Sequence, residues 1–173
     1  MTNQGQYYLA AGRLLHYKRF DLIIDAFNKT GTSLKIVGAG PEYKNLKSQI
    51  SNRKSPNIEM LGYVKEDAAL RALYGGAKGF IMANEEDFGL VTAEAQACGT
   101  PVIAYSAGGS IEIVEPRVTG LLFHEQTTES LMETMEEFER IHFDRQLIAE
   151  RAKKFSAEAF ENGIRDAVAK LIP

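Results

Sequence analysis

The chain has 173 residues, 45% hydrophobic and 25% charged, with a formal net charge of -3. That is enough for one well-filled core and short for two, so a single domain is expected over residues 1–173. The slight acidity excludes a general attraction to nucleic acid or to an anionic membrane, and any phosphate must be held by local groups. The polar start Met1-Thr2-Asn3-Gln4-Gly5-Gln6 lacks the basic and apolar regions of a signal peptide, and no later apolar run reaches the length of a membrane span. The single cysteine, Cys98, lies among alanines and reads as a small buried side chain in a reducing compartment. A cytoplasmic protein is expected.

Short apolar runs rich in β-branched or aromatic residues alternate with longer amphipathic segments, the pattern of a parallel sheet covered by helices on both faces. The first strand is read at Tyr7 to Ala11, followed by a helix from about Arg19 to Asn28 with Phe20, Ile23, Ile24 and Phe27 at helical spacing. A strand at Ser33 to Val37, the turn Gly38-Ala39-Gly40-Pro41 and a polar helix from about Glu42 to Arg53 come next. Strand Ile58 to Leu61, turn Gly62-Tyr63, helix Glu66 to Tyr74 and strand Gly79 to Ala83 repeat the order. The run from Glu85 to Ala97 supplies another helix, and Val102 to Tyr105 the strand after it. A Gly108-Gly109 turn, a helical turn through Ile111 to Val114 and a strand at Gly120 to Phe123 complete the sheet. Helices from about Thr128 to Arg140, Asp144 to Phe155 and Ser156 to Leu171 close the chain, the last with Ser156 as its N-cap.

In open α/β sheets ligands sit at the carboxyl ends of the strands. Arg13, Lys18, Gly38, Gly40, Tyr63, Glu86, Phe88, Gly89, Gly108 and Gly109 all fall in or just beyond a strand-to-helix turn. Scattered in sequence, they can line one crevice. Gly12-Arg13 with Lys18 puts two cations in the first such turn, a planar fork and a mobile point charge suited to phosphate oxygens. Gly38-Ala39-Gly40-Pro41 permits close backbone approach, yet Tyr43 stands where a dinucleotide fingerprint needs its third glycine, which argues against a nicotinamide-dependent dehydrogenase.

The most informative stretch runs from Glu85 to Ala104. It places Glu86 and Glu94 either side of Phe88-Gly89, around the start of a helix of small residues that ends at Gly99-Thr100-Pro101. Unpaired N–H groups and the helix dipole make such a start an anion site. Glu94, flanked by Ala93, Ala95 and Ala97, sits on a helix that must pack on the sheet, so a buried carboxylate needing partners is expected there. The hydroxyls of a ribose are suitable partners. Eight fully helical steps would separate Glu86 from Glu94 by roughly 12 Å, more than the roughly 5 to 9.5 Å that a glycoside-hydrolysing pair wants. A cation shared by Glu85 and Asp87 rests on a minimal pattern. His16 could face the crevice, whereas His124 and His142 have no partners at ligand or triad spacing.

Assembled, these residues resemble the C-terminal half of a retaining glycosyltransferase of the GT-B type, in the family 4 (group 1) set. The likeness runs through Gly12-Arg13 with Lys18, Val37-Gly38-Ala39-Gly40-Pro41, Leu61-Gly62-Tyr63-Val64, the E-x7-E motif at Glu86 and Glu94, Gly99-Thr100-Pro101-Val102-Ile103-Ala104, Gly108-Gly109 with Glu112, and Thr119-Gly120-Leu121-Leu122-Phe123. The resemblance implies a three-layer Rossmann-like α/β domain that binds a nucleotide-sugar donor without a metal or other cofactor. It implies that Arg13 and Lys18 neutralise the donor diphosphate and that Glu86 faces the sugar hydroxyls. The backbone of Phe88, Gly89 and Leu90 would cradle diphosphate and sugar, Glu94 would hold the ribose, and Tyr63 and Val64 would meet the base. Gly12, Gly38 and Gly40 would allow close donor approach.

Asp87 departs from the glycine common in that position. The run Glu85-Glu86-Asp87-Phe88-Gly89, with Glu94-Ala95-Gln96-Ala97 and Phe123-His124-Glu125-Gln126-Thr127, is similar to mannosyltransferases of bacterial surface-polysaccharide assembly, which implies GDP-mannose as donor. The family's N-terminal domain, which binds a glycan or lipid-linked acceptor and can carry peripheral membrane association, has no counterpart in these residues. The isolated domain is therefore expected to be inactive alone. A non-catalytic nucleotide-binding module and a nucleotide-sugar epimerase-like GT-B protein are the alternatives. A pyridoxal-dependent phosphorylase would want a Schiff-base lysine in context, and none is found.

Overall fold

In the computed structural model, which describes residues 5–53 and 55–171, six strands form one all-parallel sheet. They are β1 (Tyr8–Ala11), β2 (Leu34–Val37), β3 (Ile58–Gly62), β4 (Gly79–Met82), β5 (Val102–Tyr105) and β6 (Gly120–Phe123), in the spatial order β3-β2-β1-β4-β5-β6. The helices are α1 (Phe20–Thr30), α2 (Tyr43–Asn52), α3 (Asp67–Gly76), α4 (Leu90–Ala97), α5 (Ser110–Ile113), α6 (Thr128–Glu139), α7 (Arg145–Ala152) and α8 (Ala157–Leu171). The doubly wound α/β architecture expected from the sequence is therefore present. Residues 1–4 of the polar start lie outside the described residues.

Strand side chains alternate between faces with period two, and here each face has its own core. Tyr8, Ala10, Ile81, Ile103, Leu121 and Phe123 point to the side covered by α1, α2 and α6, where they meet Phe20, Ile24, Phe27, Leu46, Leu131 and Phe138. Leu9, Phe80, Met82, Val102 and Ala104 point to the other side, against Tyr74 of α3 and Ala95 of α4. Burial on both faces is why the strands read as nearly unbroken apolar runs.

Several boundaries differ from the sequence reading by a residue or more, and two of them have a clear local cause. A 3-10 turn over His16–Lys18 intervenes before α1, and Arg19, read as the first helical residue, is left-handed at φ 55°. That conformation is unfavourable for a residue with a Cβ. The Arg19 side chain is anchored on both sides, donating to Asp21 Oδ1 at 3.2 Å and to Gln126 Oε1 at 3.0 Å. The helix expected from Asp144 to Phe155 begins behind an Asp144 cap, whose carboxylate accepts from Gln146 N and Leu147 N, and tightens into a 3-10 turn at Lys153–Phe155. Ser156 caps α8 as expected, its Oγ accepting from Ala159 N at 3.2 Å. No residue of α8 is buried, and Phe160, Ile164, Val168 and Leu171 form an exposed apolar stripe along it. Among the described residues no helix is long and apolar enough to cross a membrane.

Candidate functional site

The strand order reverses between β1 and β4, which pair directly at Tyr8↔Gly79 and Leu9↔Phe80. At such a switch point the loops leaving the two strands diverge and open a crevice at the carboxyl end of the sheet. The loop after β1 carries Gly12, Arg13 and Lys18, and the loop after β4 carries Asn84, Glu86 and Gly89.

On the β1-β2-β3 side the floor is backbone. Gly12 N donates to Val37 O at 3.0 Å and Gly38 N to Gly62 O at 2.8 Å, so the strand ends stay laced together beyond the last strand residues. A Cβ on Gly38 would lie 1.9 Å from Gly12 O, which only glycine avoids at this approach. Above this floor lies a cavity of about 320 Å³ lined by Gly12, Arg13, Gly38, Tyr63, Val64 and Glu94, together with Ala11, Val37, Ala39, Leu70, Tyr74 and Val91. Six residues expected from the sequence thus converge on one space. Its apolar walls suit a flat ring, and the exposed Arg13 and Glu94 supply opposite charges at its rim.

On the β4 side the geometry is polar and tightly held. Lys18 is paired with Glu86, with the two side chains only 16% and 24% exposed. Burial holds the Lys18 ammonium below the ordinary lysine range. Asn84 is buried and donates from Nδ2 to Glu86 Oε1 at 2.9 Å and to Glu85 O at 2.8 Å. The backbone is fixed from β5: Gly109 N donates to Glu86 O at 2.7 Å, and a Cβ on Gly108 would lie 2.2 Å from the same oxygen. Gln126 Nε2 pins the end of β4 by donating to Ala83 O at 2.8 Å. Gly89, buried and left-handed at φ 64°, starts α4, with Phe88 and Leu90 exposed on either side of it.

The structure places four features differently from the sequence reading. Glu94 is exposed, not buried: α4 turns this side chain to the rim, where Tyr74 Oη donates to its Oε2 at 3.3 Å. Gly40 lies outside the cavity, against Leu14, whose carbonyl oxygen would be 2.4 Å from an added Cβ; it shapes the turn into α2. His16 lies instead in a separate indentation with Leu15, Glu42 and Asn45. Only the last part of the Glu86 to Glu94 interval is helical, since α4 begins at Leu90, so the fully helical spacing does not apply. Cys98 is half-buried at the edge of a second cavity of about 490 Å³, shared with Asp67, Arg71, Tyr74 and Glu94.

The sequence reading does not single out Tyr74 or Asn84, and it uses Gln126 only within the Phe123 to Thr127 run. Asn84 carried a signal, a polar residue ending an apolar strand just before Glu86. Tyr74 carried none, because a helix-face tyrosine reads as core. The chemistry the assembled site can perform is to bind an anion between cations, hydroxyls at carboxylates and a planar ring in the apolar cavity.

The family model described as glycosyl transferases group 1 matches residues 2–155. An uncharacterized glycosyltransferase of Methanocaldococcus jannaschii is 30% identical over 158 residues, covering 90% of this chain and 45% of that protein. A glycogen synthase of Xanthomonas campestris pv. campestris is 29% identical over 138 residues, 76% of this chain and 29% of the relative. The chain thus spans less than half the length of these curated relatives. Among solved structures, the apo lipopolysaccharide outer core galactosyltransferase WaaB superposes with TM-score 0.86 at 15% identity, over 99% of this chain and 51% of its own. Anabaena Alr3699/HepE in complex with UDP and glucose gives 0.77 at 23% identity, over 96% and 49%. At these identities the structures share a fold. The fold, the convergent site and the family match agree: the chain belongs to the glycosyl transferases group 1 family.

Proposed function

We propose that the chain is the donor-binding half of a two-domain, retaining family 4 enzyme that transfers a hexose from a nucleotide-sugar to a glycan or lipid-linked acceptor. The observation that carries this reading is the juxtaposition, at the switch point, of the Lys18–Glu86 pair with the cavity that holds Arg13 and Glu94. In this reading the base lies against Tyr63 and Val64, the ribose diol on Glu94, and the diphosphate between Arg13, Lys18 and the start of α4. The sugar hydroxyls then face Glu86. The two cations stabilise the negative charge that grows on the diphosphate as the glycosidic bond breaks. The exposed stripe Phe160, Ile164, Val168 and Leu171 on α8 supports a second domain of the same enzyme as the partner. Without that domain the chain binds donor and transfers little, and the composition favours work in the cytoplasm.

The similarity of the Glu85 to Gly89 run to polysaccharide mannosyltransferases favours GDP-mannose. The UDP and glucose bound by HepE make UDP-glucose the competitor. Titrating the chain with both donors separates them. Arg13→Ala and Glu94→Ala should each weaken the preferred donor by about tenfold or more, consistent with loss of a charge-assisted contact; unchanged affinity in both variants would sink the site assignment.

A further inference from the structure

We propose that Tyr74 is a positioning residue that aims the Glu94 carboxylate at the ligand's ribose. This rests on the reading of Glu94 as the ribose ligand. Glu94 is an exposed side chain on the eight-residue helix α4, and among the described residues its carboxylate takes its side-chain hydrogen bond from outside that helix. The restraint comes from α3. Tyr74 is 2% exposed, its ring packs on Phe80 at 5.5 Å, and its backbone oxygen accepts from Thr100 Oγ1 at 2.6 Å. The hydroxyl of this packed ring donates to Glu94 Oε2 at 3.3 Å, leaving Oε1 without a hydrogen-bond partner among the described residues.

The placement matters because Glu94, Tyr74 and Leu70 border both larger cavities, the one of about 320 Å³ with Arg13 and Tyr63 and the one of about 490 Å³ with Arg71 and Cys98. A free Glu94 could turn either way. The Tyr74 hydroxyl occupies one carboxylate oxygen at the shared wall and leaves the other for a diol in the first cavity. At 3.3 Å the bond is longer than the usual O–H···O hydrogen bond, so the carboxylate has slack to settle onto a ligand and tighten against Tyr74. Burial and the nearby Glu94 charge raise the Tyr74 hydroxyl well above the ordinary tyrosine range, so it remains a donor throughout the range in which the protein works.

The experiment is a binding cycle on the 173-residue chain with GDP and 2′,3′-dideoxy-GDP, and the UDP pair in parallel. Tyr74→Phe keeps the ring and removes only the hydroxyl. It should weaken the ribonucleotide about three- to tenfold, leave the dideoxy compound within about twofold, and have no further effect in a Glu94→Ala background. Equal weakening of both nucleotides, persistence of the effect in Glu94→Ala, or no change in either would overturn the positioning role. If the wild type prefers ribose and Glu94→Ala removes that preference, the donor reading stands whatever Tyr74→Phe does. If the wild type shows no ribose preference, the assignment of Glu94 falls and the role of Tyr74 with it.

Discussion

Lys18 and Glu86, one on the loop after β1 and the other on the loop after β4, neutralise each other across the switch point. Each holds the partner that a ligand would otherwise claim, and Asn84 steadies the carboxylate from behind. In the proposed reading a diphosphate has to draw Lys18 away from Glu86. Replacing Glu86 by Gln should therefore free the ammonium and tighten free nucleoside diphosphate by about two- to fivefold, the scale of a partly exposed ion pair. The same variant should lose affinity for the intact nucleotide-sugar. Calorimetric titration with diphosphate and with donor reads both, and weaker diphosphate binding in Glu86→Gln would contradict the competition.

Gly108→Ala tests how the Glu86 backbone is held. Gly108 is left-handed at φ 56°, and its added Cβ would fall 2.2 Å from Glu86 O. The backbone strain is about 1–3 kcal/mol before the clash is relieved. Relief has to move the Glu86 carbonyl off Gly109 N, which donates to it at 2.7 Å. The expected result is a lower melting temperature together with a loss of donor binding larger than that of Gly31→Ala, at a positive-φ glycine whose Cβ would meet nothing within 4 Å.

Particular residues show what could be read in advance. The strands were legible because burial on both faces leaves runs such as Val102-Ile103-Ala104 with no polar interruption. Gly12, Arg13, Gly38, Tyr63 and Val64 were legible because a parallel sheet delivers every strand-to-helix turn to one edge. The exposure of Glu94 is not legible, because alanine neighbours report a close-packed helix and not which azimuth of it the sheet covers. The left-handed Arg19 is not legible either, because its side chain is anchored on Gln126, a contact between distant segments that no local pattern encodes. Tyr74 and Glu94 meet for the same kind of reason, through the packing of α3 beside α4.

Alkaline unfolding follows from two buried tyrosines. Burial raises the Tyr8 and Tyr74 hydroxyls well above the ordinary 10.0, helped by Glu139 and Glu94 respectively. Their folded-state pKa values exceed the unfolded ones, so this stability is complete below pH 10 and is lost as the unfolded state deprotonates above it. Each tyrosine should remove about 1.4 kcal/mol per pH unit in that window. Lys18 runs the other way, since its lowered value makes stability rise toward pH 10.5, but Tyr7 and Cys98, both also raised by burial, add to the loss from Tyr8 and Tyr74. Urea midpoints at pH 9 and 11 should fall in the wild type and fall less in Tyr8→Phe; a flat wild-type profile would refute the assignment.

Thr119→Val should be a damaging near-isosteric change on the α4 side. Thr119 is fully buried, and its Oγ1 accepts both from Gln96 Nε2 on α4 and from Glu115 N, each at 2.9 Å. The hydroxyl thus ties the helix that carries Glu94 to the loop entering β6. Valine fills the same volume but strands two donors away from water; Gln96 keeps a long bond of 3.4 Å to Ile113 O as its remaining partner. Two weakened buried donors cost about 2–4 kcal/mol, which for a domain of this size lowers the melting temperature by roughly 5–12 °C. Thr119→Ser keeps the acceptor and should be clearly milder, and a valine variant as stable as the wild type would show that these two hydrogen bonds contribute little.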